Sequence, residues 1–114
     1  MNRLCLRGIE LRYVLTLHLA QQGPATIAEL IDALSYHGFS VGGRPFKAVS
    51  DALRWEIGRG RVNRLARGRY EPGYIPRSTD YHIHQRVLTL RETVVAARRA
   101  HRRPLTQPEQ KWRL

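Results

Sequence analysis

Apolar residues recur at Ile9, Tyr13, Val14 and Leu17, a helical spacing that predicts a first helix over 8–21 with one buried stripe. Gln22-Gly23-Pro24 stops it. Thr26 stands three residues before Glu29, so that each side chain can satisfy a free backbone N–H at the start of a second helix. Ile27, Leu30, Ile31 and Leu34 form its apolar face, and Tyr36-His37-Gly38 closes it, with Gly38 as C-terminal cap and Phe39 folding back. A third helix follows Gly42-Gly43, with Pro45 in a first turn where its missing N–H costs nothing. Steps of 100° per residue put Phe46, Val49, Ser50, Leu53 and Ile57 inward, and Arg44, Ala48, Asp51 and Trp55 outward.

The pattern then shortens. Residues 62–66 and 69–72 read as two strands joined at Arg67-Gly68, where Gly68 supplies a positive φ, with Val62, Leu65 and Tyr70 inward. Pro72-Gly73 and Pro76 break regular structure. A long helix is expected over 79–102, with Ser78 as cap. Ile83, Val87, Leu90, Val94, Ala97 and His101 are spaced four and three apart, a heptad seam widened by Leu88 and Val95. Pro104 ends the helix, and 104–114 reads as a loose tail. The expected organisation is a mainly α chain with a small β-hairpin (α+β). It divides into a domain over 1–77, the long helix over 78–103 and the tail.

Charge adds a second pattern. The net charge is +11, which favours polyanionic partners. Tyr13 to Gly43 contains no Lys or Arg, whereas Arg44 to Arg77 contains nine basic residues against Asp51, Glu56 and Glu71. Positive charge is therefore concentrated on the stretch that holds the third helix and the hairpin, rather than spread evenly. A basic helix beside a basic hairpin suits a nucleic-acid duplex, because phosphate neutralisation supplies much of the affinity.

Gly23-Pro24-x-Thr26-x-x-Glu29-Leu30, Gly38-Phe39, Gly43-Arg44-Pro45 and Arg67-Gly68-Arg69-Tyr70 together resemble the winged helix-turn-helix superfamily, and its HARE-HTH subgroup. The resemblance runs from Tyr13 to Gly73. It implies a winged helix-turn-helix fold with an added C-terminal helix. The third helix would then enter the major groove while the hairpin, the wing, reaches the backbone or minor groove. Arg44, Lys47, Ala48, Arg54, Arg59, Arg61, Arg64, Arg67 and Arg69 are the expected DNA-binding residues. Arg44 and Lys47 stand where a phosphate or guanine edge is met, Ala48 where bases approach closely, and the wing arginines where the minor groove is entered. Asp51 either accepts from a cytosine or holds a neighbouring Arg. Trp55 either packs or remains an exposed contact.

The seam of Ile83, Val87, Leu90, Val94 and Ala97 has two readings. It covers the chain's own core, or it pairs with a second copy in a two-fold dimer whose recognition helices lie about one DNA turn apart. The second is the expected partner arrangement, beside double-stranded DNA.

Little else in the chain carries chemistry. Cys5, the lone cysteine, lies in an apolar run and reads as a small buried hydrophobe; it excludes an intrachain disulfide and a thiolate zinc site. His82 and His84 are two apart and diverge on a helix, so neither metal nor cofactor is expected. No phosphate loop, nucleophile triad or carboxylate pair is present, and an enzyme is not expected. Without a long apolar run or a signal-peptide core, the chain reads as cytoplasmic and nucleoid-associated. The expected function is a small dimeric transcriptional regulator. A protein-interaction module and a nonspecific nucleoid-packaging protein are the alternatives, and any small-molecule effector is unknown.

Overall fold

Gly8 begins a helix, α1 (Gly8–Gln22), that Gly23 ends by donating its N–H to the Leu19 carbonyl. In the computed structural model, which describes residues 3–102, this helix is the centre of the fold. Leu11, Val14, Leu15, Thr16, Leu17 and Leu19 are all buried on it, while Ile9 is exposed. The narrow stripe expected through Ile9 is thus replaced by a wide buried sector, because other elements cover α1 on several sides.

After strand β1 (Leu4–Leu6) and α1, the described chain continues through β2 (Ala25–Thr26), α2 (Ile27–Tyr36), β3 (Phe39–Val41) and α3 (Pro45–Gly58). It ends with β4 (Val62–Ala66), β5 (Arg69–Pro72) and α4 (Arg77–Arg102). The reciprocal cap at α2 is present: Glu29 N–H donates to Thr26 Oγ1 at 3.2 Å, and Thr26 N–H donates to Glu29 Oε1 at 2.8 Å. Gly38 takes φ 86° past the helix end, and Phe39 is buried.

Two features were not expected. β1 pairs in parallel with β3, a register of Leu4 with Phe39 and Leu6 with Val41, which α1 and α2 make possible as the crossover. Strand alternation buries Leu6 and turns Cys5 to the surface, correcting its assignment as a buried hydrophobe. β2 joins the hairpin, so that an antiparallel sheet runs β2-β5-β4, with Ala25 opposite Tyr70.

The hairpin strands fall where expected, but their inward set changes. Val62 and Tyr70 are buried, and Leu65 is exposed. Arg64 pairs with Tyr70 and Ala66 with Arg69, leaving Leu65 as the extra residue of a bulge that breaks the alternation. At the hairpin base, Gly73 donates to the Arg61 carbonyl at 2.9 Å, and Tyr74 to that of Gly60 at 3.0 Å.

α4 begins at Arg77, so Ser78 lies inside it rather than capping it. Ile83, Val87, Leu90 and Val94 are buried in the same hydrophobic cluster as α1, α2 and α3. Arg86 reaches across to Glu10 of α1 at 3.0 Å. Ala97, expected in the seam, is exposed, as are Leu88 and Val95. The His101 side chain and the tail lie outside the described residues.

Candidate nucleic-acid interface

Val49, Ala52, Leu53 and Glu56 are the buried positions of α3. This set is rotated by roughly 60° from the expected face, given 3.6 residues per turn. Phe46 and Ile57 are therefore exposed rather than inward, and Ala48 packs partly against the core rather than facing outward. Ala48 is thus half-buried at the edge of the outward side of α3.

The rotated face carries a carboxylate at a core position. Glu56 is fully buried, and each of its oxygens is doubly satisfied. Oε1 accepts from Thr16 Oγ1 at 2.9 Å and from Arg61 Nε at 2.7 Å; Oε2 accepts from Arg12 Nε at 3.1 Å and from Arg61 Nη2 at 2.9 Å. Arg12 and Thr16 stand one turn apart on α1, so one helix presents both donors to the same group. A charge buried this deeply is tolerated only when paired and hydrogen-bonded. Arg61, expected at the DNA surface, is thereby turned inward. Arg12 and Thr16 were missed as members of this site; the available signal was a Glu recurring at helical spacing with Val49, Ala52 and Leu53.

The outward side of α3 is polar. Lys47 donates to Asp51 Oδ2 at 3.0 Å and Arg54 to Asp51 Oδ1 at 3.4 Å, so Asp51 holds two neighbouring cations. Arg44 caps the helix start through its backbone alone, with its side chain making no cap bond. Trp55 is 58% exposed, with the guanidinium carbons of Arg12 and Arg59 at 5.2 and 5.9 Å from its ring centre.

On the hairpin, Arg64, Arg67 and Arg69 are exposed, and Gly68 takes φ 70° at the turn. β2 pairing sets Arg69 opposite Thr26, beside the start of α2. The Glu29 carboxyl titrates below its ordinary value, chiefly because it accepts from the Thr26 backbone N–H, with the positive charge of Arg69 contributing. Among the described residues, no cluster of three or more His, Cys, Asp or Glu is arranged to hold a metal, and no helix is long and apolar enough to cross a membrane. No protein-family model, curated protein or solved structure matches the chain.

Proposed function

We propose that the chain binds double-stranded DNA as a small transcriptional regulator of winged helix-turn-helix architecture, placing α3 in the major groove and the β4–β5 wing on the backbone or minor groove. The observation that carries the reading is the sorting of charge on α3. Of its two acids, Glu56 is consumed inside by Arg12 and Arg61, while Lys47, Arg54 and the flanking Arg44 and Arg59 face solvent against Asp51 alone. Three further arginines, Arg64, Arg67 and Arg69, are exposed on the hairpin that follows α3. The sheet order β2-β5-β4, which ties a hairpin to a three-helix unit, supports the same architecture. A cytoplasmic, nucleoid-associated location goes with this reading.

Binding to duplex DNA across a salt series tests it. With about four to eight phosphates contacted, log affinity falls with log salt at a slope of about −4 to −7; a flat response refutes the proposal. Equal affinity for random and genomic duplexes would assign the chain to packaging instead.

One observation favours a protein-docking role as a second reading: Phe46 and Trp55 are both large, apolar and exposed on α3. That reading predicts no retardation of DNA at moderate salt. A homodimer remains part of the proposal, but not through the buried seam. Tyr81, Leu88 and Val95, seven residues apart and exposed on α4, form the stripe left for it.

A further inference from the structure

A groove of about 480 Å³ lies beside α3, between the β1–α1 junction, the residues leading into α3 and one flank of α3 itself. Its size is that of a small-ligand site. One wall is apolar, made by Leu11 of α1 with Ala48, Ala52 and Trp55 of α3. Ala48 and Ala52 leave the space that larger side chains would occupy.

The opposite character comes from Arg7 and Arg12. Arg7 is exposed and makes no side-chain cap bond to α1. Arg12 shares the single Glu56 carboxylate with Arg61, so this cluster of three keeps one positive charge in excess. The Arg12 bond to Glu56 uses Nε, which leaves the two terminal amino groups out of it. Asp51 also lines the groove, but its charge is already matched by Lys47 and Arg54. The groove therefore pairs an apolar wall with unbalanced positive charge, and its complement is an apolar body with one acidic head.

We propose that this groove binds a small amphipathic carboxylate, its ring body against Leu11, Ala48, Ala52 and Trp55 and its carboxylate toward Arg7 and Arg12. The site stands whether or not the chain binds DNA, and it supplies a place for an effector. Trp55 lines both this groove and the outward surface formed by Lys47, Arg54 and Arg59, so an occupant touches a residue of the proposed interface.

Calorimetric titration of the full chain with 2-naphthoate, without nucleic acid, tests the site independently of the DNA reading. The expected dissociation constant is about 0.1–1 mM, as for a ligand of this size. 2-Naphthylmethylamine, with the same ring and opposite charge, binds at least tenfold more weakly. Arg7→Glu changes an exposed residue and weakens 2-naphthoate at least fivefold with an unchanged circular dichroism spectrum. Arg77→Glu, a charge reversal away from the groove, leaves it unchanged. Absence of saturable heat, equal affinity for acid and amine, or equal weakening by both reversals overturns the proposal.

Discussion

Arg61 grips Glu56 with two hydrogen bonds, 2.7 and 2.9 Å long, and is thereby withdrawn from the basic surface that its neighbours in sequence form. The same pair ties the last turn of α3 to the residue that leads into β4, at the base of the hairpin.

Glu56→Gln removes the charge that holds Arg12 and Arg61, leaving two guanidiniums in a largely buried site. The expected loss of stability is about 3 kcal/mol, read from the urea midpoint. Replacing Arg12, Glu56 and Arg61 together by Leu, Met and Met restores most of that loss, because an apolar trio needs no internal pairing. A single variant as stable as the parent contradicts the assignment.

Gly73→Ala places a Cβ 2.4 Å from the Gly60 carbonyl oxygen, a backbone atom that cannot move aside cheaply. Gly68→Ala meets no atom within 4 Å and pays only for its positive φ. The first is expected to cost about 2–3 kcal/mol and the second about 1 kcal/mol. Thermal denaturation of the two variants side by side checks the order.

His18 and His37 flank Arg91 where α1, α2 and α4 meet. Burial, then the charge of Arg91, holds His18 below its ordinary value of 6.5. For His37 the causes are burial, then Arg91, His18 and Arg98. The unfolded chain thus binds more protons than the folded one once pH drops below about 6.5. Their contribution to stability is complete above that value and is lost as pH falls from it through the lowered folded values. Urea midpoints at pH 7.5 and 5.0 should decrease accordingly, and the His18→Gln, His37→Gln double variant should lose that dependence.

Asp51→Asn frees Lys47 and Arg54 from their shared carboxylate. On the DNA-binding reading, affinity rises roughly 3- to 10-fold at moderate salt. Arg67→Ala with Arg69→Ala weakens binding to all sequences and makes the salt slope shallower by about two. Fluorescence anisotropy with two unrelated duplexes measures both. Unchanged affinity in the wing variant would remove the wing from the mechanism.

Self-association is expected to depend on Leu88 rather than Val87. Leu88→Glu alters an exposed position, and a dimer mass by light scattering that reverts to the monomer value would place the contact on the outer stripe of α4. Val87→Ala instead costs stability, about 1–3 kcal/mol, because Val87 lies in the chain's own core.

Local chemistry was legible along the chain wherever its cause was local. Thr26 and Glu29, Pro45, Gly38 and the Arg67-Gly68 turn each announced an element boundary, since caps and turns are satisfied within a few residues. Periodicity located α1, α2, α3 and the hairpin strands for the same reason. The concentration of charge from Arg44 to Arg77 was visible as well.

Partners distant in sequence were settled only by the folded arrangement. The pairing of Leu4–Leu6 with Phe39–Val41, and of Ala25–Thr26 with Arg69–Pro72, has no local signal, because a short strand's register depends on what lies beside it. The heptad on α4 fits a second chain or the chain's own α1 equally well as a pattern; only packing shows Ile83, Val87, Leu90 and Val94 against the shared core. The inward face of α3 was decided in the same way. Apolar spacing alone favoured Phe46 and Ile57, whereas donors brought from α1 and from Arg61 satisfy a buried Glu56, a pairing that no local pattern announces.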